Sequence, residues 1–372
     1  MAFRASAIRA ERAIVYTQYG EPGQVLKTLT YKPLSTPPPG TLNLKVLLSP
    51  INPADLNTIQ GVYPAKPTLN ELVEGQPAVF IGGREGLAEV TQVGSGVSGY
   101  TAGDWVVFAR AGSGTWASSR NVKAQEVLKL PRKDGLSQVA GATITVNPPT
   151  AYNMLNDFVT LKEGEDWVVQ NGANSAVGQA VIQIAASKGL KTLNLVRARA
   201  DFADLSNKLK ALGATEVLTY DDLADRALTK SIVKDWTAGK GIRLGLNCVS
   251  GKDTTSMARL LGQDAYLVSY GAMSKEPLSL PTSLFFFKGL TATGFMQNRW
   301  NETHSRSDQE ALISTLVDLA VDGKLKEPEH EIFTISGQDS DQVAGQKVQE
   351  LMDKVTNGRY GKKVLLKFDD TH

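Results

Sequence analysis

Cysteine is almost absent from this chain of 372 residues: Cys248 is the single one, so neither an intramolecular disulfide nor a cysteine-rich metal site can form. Histidine is scarce as well, and His304, His330 and His372 all lie far along the chain. Charge of one sign is missing too, since 40 Lys and Arg against 38 Asp and Glu leave a net +2. No basic run is long enough to follow a phosphate backbone, which excludes nucleic acid as an evident partner. Long apolar runs are lacking: Leu284-Phe285-Phe286-Phe287 is stopped at once by Lys288, far short of a membrane span. What remains, 42% hydrophobic and 21% charged residues, is the composition of a soluble globular protein, and the length suggests about two domains.

The stretch from Trp167 to Ala185 organises the rest. Trp167-Val168-Val169-Gln170-Asn171 reads as a buried strand, Gly172 to Gly178 as a tight turn, and the following apolar-faced segment as a helix. Gly172 permits the sharp exit, Gly178 lets the helix approach the sheet, and the helix N-terminus faces a pyrophosphate. Ser175 stands where a dinucleotide fingerprint usually has its middle glycine, so the motif is degraded. A second apolar strand, Leu193 to Val196, ends in Arg197-Ala198-Arg199, 19 residues beyond Gly178. An NAD site prefers Asp or Glu there, whereas two guanidiniums suit the 2′-phosphate of NADPH. The plainer alternative is a pair of arginines solvating a strand end.

Around this unit the pattern changes twice. Residues 1–145 carry short strands, among them Arg12 to Tyr16, Leu42 to Leu48 and Trp105 to Phe108, separated by glycine- and proline-rich turns, and read as an irregular β domain. Residues 146–297 alternate helix-length segments with apolar strands, which implies a doubly wound parallel sheet of Rossmann type with its ligand outside the carboxyl ends of the strands. Residues 298–372 contain polar helices and a last strand, Lys363 to Lys367, that could return to the first domain. Met1 to Ala10 holds arginine, serine and alanine with no acid before Glu11, as a mitochondrial transit peptide or a frayed terminus would.

Ser49-Pro50-Ile51-Asn52-Pro53-Ala54-Asp55, Gln60-Gly61-Val62-Tyr63-Pro64, Gly83-Arg84-Glu85-Gly86, Val146-Asn147-Pro148-Pro149-Thr150-Ala151-Tyr152 and Asn171 to Gly178, in this organisation, resemble the medium-chain dehydrogenase/reductase superfamily. Within it the likeness is greatest to the mitochondrial trans-2-enoyl thioester reductases, from Ala13 to Lys367. The resemblance implies an α/β protein in which a GroES-like catalytic domain carries an inserted Rossmann domain. It implies NADPH-dependent reduction of enoyl-CoA or enoyl-acyl-carrier-protein thioesters in mitochondrial fatty-acid synthesis, in the matrix. By position it makes Tyr63 the catalytic tyrosine and places Asn147 at the nicotinamide half of the cofactor. Asn174, Ser175, Ala176 and Val177 would line the pyrophosphate, and Arg197 and Arg199 the 2′-phosphate. Tyr270, Gly271, Ala272 and Met273, with Phe295, Met296 and Gln297, would complete the cofactor site, and Lys362 would reach it from the C-terminal segment. Two departures bear on acyl-chain preference: the family usually has Gly-Gly where Gly271-Ala272 stands and tryptophan where Met296 stands.

The chemistry can be weighed beside the likeness. Zinc enzymes of the superfamily carry Gly-His-Glu where this chain has Gly83-Arg84-Glu85, and too few cysteines and histidines remain for a tetrahedral site, so no metal is expected. Hydride addition to Cβ of a conjugated thioester puts negative charge on the thioester oxygen and carbanion character on Cα, which demands a donor. A tyrosine hydroxyl can donate while neutral at pH 7. Without the resemblance, Tyr63 would read as a turn tyrosine packing its ring. Asn52, Asp55 and Asn57 are read as capping and turn residues, Trp116 and Cys248 as core, and Phe285-Phe286-Phe287 as a homodimer contact. Two other functions stay open: a zinc-free quinone reductase and a non-catalytic NADPH-binding protein.

Overall fold

The computed structural model describes residues 10–64, 67–109, 112–131, 134–358 and 362–369. The transit-peptide reading falls on Met1 to Ala10, of which residues 1–9 lie outside them. The chain divides into two compact units, one made of Met1–Thr145, Asn301–Val321 and Glu327–His372, the other of Val146–Trp300 and Asp322–Lys326.

The first unit is built on the ten-residue strand Thr41–Pro50. Leu42, Leu44 and Val46 alternate along it, so period-two spacing sends all three to one face, where they meet Ala88, Val90, Val106, Phe108, Val122 and Val127. The strand lies within a seven-stranded sheet in the order His330–Ile335, Lys363–Phe368, Thr41–Pro50, Leu87–Val93, Trp105–Phe108, Val127–Lys129, with Ser119–Lys123 also paired to Thr41–Pro50. Lys363–Phe368 does return to this unit: Leu366 pairs antiparallel with Ser49 and Leu365 with Pro50. The run beyond Gln297 is not only helical, since His330–Ile335 is an edge strand parallel to Lys363–Phe368. A four-stranded antiparallel sheet stands beside these elements in the same unit, in the order Lys27–Tyr31, Glu11–Tyr16, Val79–Ile81, Leu69–Asn70.

Trp116 is wholly buried, as its core reading has it. Its ring lies so close to Gly82 and Gly83 that a Cβ on either would stand 2.2 or 2.3 Å from it, and Gly83 also has φ of +88°. Only glycine fits that combination of contact and conformation.

The second unit carries six parallel strands in the order Glu216–Thr219, Lys191–Val196, Trp167–Asn171, Ile242–Asn247, Leu261–Ser269, Thr291–Gly294. Counted along the chain this is 3-2-1-4-5-6, the doubly wound arrangement of a dinucleotide fold. Two apolar clusters hold it. Leu193 and Leu195 pack with Val169, Ile242, Leu261 and Leu267, while the next residue, Val196, packs with Ile182, Leu209 and Val217. That change of side from Leu195 to Val196 is what a strand covered on both faces requires.

Candidate functional site

Because all six strands of the second unit run the same way, their carboxyl ends share one edge of the sheet. The register aligns them: Asn171 opposite Leu195, Asn247 opposite Ser269, and Ser269 opposite Gly294. The turns that follow carry Asn174 to Val177, Arg197 and Arg199, Tyr270 to Met273, and Phe295 to Gln297, so one edge collects nearly every cofactor-site residue the sequence singles out.

The turn from Asn171 into the helix Ala176–Ser187 is shaped by contacts a side chain would spoil. Gly172 has φ of +60°, and a Cβ there would stand 2.5 Å from Cys248 Sγ. At Gly178 a Cβ would stand 2.6 Å from the Ala173 carbonyl oxygen, which is backbone and cannot yield. Ser175 takes the N-cap position, and its Oγ accepts from Gly178 N–H at 3.1 Å. A residue that breaks the glycine fingerprint thus earns its place as a cap. Among the described residues, Ala176 and Val177 N–H find no acceptor. Two orphan donors at the positive end of a 12-residue helix fit a pyrophosphate.

Tyr220, which sequence reasoning missed, accepts from Gly172 N–H through its hydroxyl at 2.9 Å and so fixes the start of the turn. Burial pushes its phenol up to about 12. Tyr270 Oη is buried with no hydrogen-bond partner among the described residues, near the Cys248 thiol and Ser175. Burial also raises Tyr270 well above an ordinary tyrosine. The turn it opens is held to the neighbouring strand end, with Met273 N–H donating to Cys248 O at 2.9 Å and Tyr270 N–H to Asn247 O at 2.9 Å. An orphaned hydroxyl beside a cradle that a Cβ would fill is what a bound polar ligand resolves.

The remaining expected residues fall as follows. Asn147 is the first residue of the helix Asn147–Asn156 and is half-buried. Phe295 meets Phe158 edge-on with ring centroids 6.2 Å apart, and Gln297 Oε1 accepts from Asn153 Nδ2 at 3.1 Å. Met296 and Met273 are exposed. Arg197 and Arg199 are exposed at the strand end, and Arg199 grips Asp201 through both Nε and Nη2. Lys362 lies in the first unit, exposed and paired with Glu329 at 3.4 Å. The inward lysine of that segment is its neighbour, Lys363.

Tyr63 belongs to the first unit. The helix Pro53–Ile59 opens with a capping box in which Asp55 Oδ2 accepts from Asn52 N–H at 2.7 Å, as the capping reading of both residues has it. It closes into a turn where the Asn57 carbonyl accepts from Val62 N–H at 3.0 Å and Tyr63 N–H at 3.2 Å. Gly61 makes that turn possible, with φ of +77° and Tyr19 Cγ only 2.9 Å from where a Cβ would stand. The half-buried Tyr63 ring lies under the Arg84 guanidinium, 4.4 Å from its centroid.

Beneath this turn is a buried ionic cluster that the sequence reading did not assemble. Asn52 donates to Glu85 Oε2 at 2.9 Å and accepts from Lys363 Nζ, while Glu85 Oε1 accepts from Thr145 N–H at 2.9 Å. Asp55, Glu85 and Asn52 are each at most 3% exposed. Burial outweighs the Asn52 hydrogen bond and the nearby Arg84 and Lys363 charges, and pushes the Asp55 carboxyl up to about 7. Among the described residues Asp55 Oδ1 has no hydrogen-bond partner. Lys363 is moved the other way, its ammonium losing its proton more readily than a free lysine because it too is desolvated.

A pH dependence follows. The folded protein holds a proton on Asp55 that the unfolded chain has released by about pH 4. Between about pH 4 and 7 the native state therefore binds more protons, and this group makes stability fall as pH rises. Asp55→Asn, which keeps an acceptor for Asn52 N–H, is expected to remove that component. Thermal unfolding of both proteins from pH 5 to 8 should show the variant gaining on the wild type with rising pH, by on the order of a few kcal/mol at the top of the range. A constant difference across that range would mean Asp55 does not titrate there.

Residues 38–132 match the family model "Alcohol dehydrogenase GroES-like domain" and residues 176–313 the model "Zinc-binding dehydrogenase". Among the described residues no group of three or more His, Cys, Asp or Glu could hold a metal ion. The mitochondrial enoyl-[acyl-carrier-protein] reductase of Yarrowia lipolytica is 41% identical over 357 residues, covering 96% of this chain and 92% of that protein. The human mitochondrial enoyl-[acyl-carrier-protein] reductase is 43% identical over 317 residues, 85% of this chain and 80% of that one. Among solved structures, the complex of Etr1p with NADP and crotonyl-CoA superposes with a TM-score of 0.88 at 34% identity, covering 96% and 99% of the two chains. An Etr1p/Etr2p heterodimer of 2-enoyl thioester reductase from Candida tropicalis gives 0.87 at 35% with the same coverage. A quinone oxidoreductase from Pseudomonas syringae, 19% identical with a TM-score of 0.74, shares the fold alone.

Proposed function

The chain belongs to the mitochondrial enoyl-[acyl-carrier-protein] reductase family of the medium-chain dehydrogenases/reductases, and we infer from that membership that it reduces trans-2-enoyl thioesters with NADPH in the mitochondrion. The observation that carries the reading is 41% identity across 96% of the chain to a reductase of that name. The carrier is coenzyme A or acyl carrier protein, and the product is the saturated acyl thioester of mitochondrial fatty-acid synthesis.

The residues divide the work. Ala176 and Val177 N–H, backed by the helix dipole, hold the pyrophosphate, and Ser175 keeps the first turn in shape for it. Arg197 and Arg199 take the 2′-phosphate. Bound there, NADPH supplies the hydride that is added to Cβ. Asn147 supports the nicotinamide half, while Tyr270 to Met273 and Phe295 to Gln297 shape the cofactor's surroundings; Lys362 assists from the C-terminal segment. Tyr63 donates to the thioester as negative charge gathers on it and delivers its proton to Cα, then regains one from solvent. No metal is required, because a hydrogen-bond donor does the polarising. Further parts of the reading are that Met1 to Ala10 belong to a transit peptide and that the exposed Phe285, Phe286 and Phe287 on the helix Thr282–Lys288 meet a second copy in a homodimer.

Crotonyl-CoA-dependent oxidation of NADPH by the purified protein tests the function. Turnover with crotonyl-CoA and none with quinones is expected. Activity with quinones alone, or cofactor binding without any turnover, would overturn it.

A further inference from the structure

Arg84 is a costly residue where it stands. It is 8% exposed, yet among the described residues no carboxylate lies within ion-pair distance of its guanidinium. Its resolved contacts are a hydrogen bond from Nη1 to Thr58 Oγ1 at 3.1 Å and the face of the Tyr63 ring at 4.4 Å. Thr58 is buried near the end of the helix Pro53–Ile59, and its own hydroxyl donates to the Ala54 carbonyl at 2.7 Å. Asp55, on the same helix, is close enough for the Arg84 charge to act on its carboxyl, but burial keeps that carboxyl protonated up to about pH 7, so below that it offers no counter-charge. A buried guanidinium lacking a close counter-ion is a net expense to the fold. The contacts it makes here are to the helix before the turn and to the aromatic ring after it. It ties the last turn of the helix, at Thr58, to Tyr63 in the turn that follows, through a planar face that matches a ring.

We propose that Arg84 is a positioning residue for Tyr63: clamped by Thr58, its guanidinium is the surface against which the tyrosine ring is set, so that the hydroxyl is held where the thioester must meet it. The proposal rests on the assignment of Tyr63 as proton donor. Backbone hydrogen bonds already fix the Tyr63 amide through the Asn57 carbonyl, but they leave the side-chain torsions free. The guanidinium face against the ring restrains them, and displacement of a donor by about 1 Å can cost on the order of 10²-fold in rate.

A double-mutant cycle separates this role from a merely structural one. Four full-length proteins are compared for kcat with crotonyl-CoA, NADPH dissociation and thermal unfolding: wild type, Tyr63→Phe, Arg84→Met and the double variant. Arg84→Met is expected to lower kcat by roughly 10–100-fold with NADPH dissociation unchanged. In the Tyr63→Phe background, where the ring stays but there is no hydroxyl to place, Arg84→Met should have almost no further effect on kcat. An equal fold-loss in both backgrounds, or no loss in either, would overturn the proposal. Failure of the underlying assignment shows separately, as Tyr63→Phe keeping its rate. Should Arg84→Met not fold, Thr58→Val keeps the guanidinium and removes the hydroxyl that clamps it, together with that hydroxyl's bond to the Ala54 carbonyl. It is expected to give the same pattern at smaller size, and full kcat in that variant would count against the proposal.

Discussion

Tyr63→Phe is expected to lose turnover and little else. Removing one general acid or oxyanion donor typically lowers the rate about 10²–10⁴-fold, roughly 3–5 kcal/mol of barrier. The phenyl ring is what meets the Arg84 guanidinium, and the backbone N–H is what meets Asn57, so both anchors of the turn survive the substitution. The hydroxyl takes no recorded part in either. A large fall in kcat with crotonyl-CoA, at unchanged unfolding temperature and NADPH dissociation, would assign the loss to that one oxygen. A variant retaining more than about half the wild-type rate, far less loss than a missing donor entails, would make Tyr63 a packing residue.

The second large effect concerns cofactor choice. Replacing Arg197 and Arg199 together with alanine is expected to raise the Michaelis constant for NADPH by roughly tenfold or more, because charge-assisted contacts to the 2′-phosphate are lost, and to leave NADH use nearly unchanged. The two arginines should not contribute alike. Arg199 already spends two donors on Asp201, whose carboxyl it holds below the usual range, so a phosphate must share or displace that partner. Among the described residues Arg197 has no such partner. Arg197→Ala is therefore expected to be the more damaging single change, and Asp201→Asn to improve NADPH use by freeing Arg199. Initial rates with both cofactors for the double variant, Arg197→Ala, Arg199→Ala and Asp201→Asn check this; an unchanged preference for NADPH in the double variant would show that these side chains only solvate the strand end.

Much of the nucleotide unit was legible because its signals are local. A run of five buried strand residues, a glycine whose φ is positive and a second glycine against a carbonyl are written within 12 positions, Trp167 to Gly178. Ser175 looked like damage to the motif until its capping bond to Gly178 was visible. The return of Lys363–Phe368 was legible from its apolar core, Val364 to Leu366, which needed a sheet to enter. His330–Ile335 was not, because it is an edge strand whose Glu331, Ile332 and Thr334 face outward, leaving no clean alternation to read.

The cluster under Tyr63 stayed hidden for a different reason. Asn52, Glu85 and Lys363 come from segments more than 30 and more than 300 positions apart, and each alone reads as an ordinary polar residue. Asp55 did carry a signal, three positions after an N-cap, but capping alone explained it and gave no hint of complete burial. Arg84 was noticed only as the residue standing in place of a zinc-binding histidine, and its ring contact depends on a turn the sequence places but does not orient.

Isotope transfer tests the central claim most directly. Crotonyl-CoA is reduced once in ordinary water with NADPH carrying deuterium at its transferable position, and once in deuterated water with unlabelled NADPH, and the butyryl product is read by NMR. The expected result is cofactor deuterium only at Cβ and solvent deuterium only at Cα. Cofactor deuterium at Cα, or a product that takes no label from the cofactor, would contradict hydride delivery to Cβ with protonation of Cα by this chain.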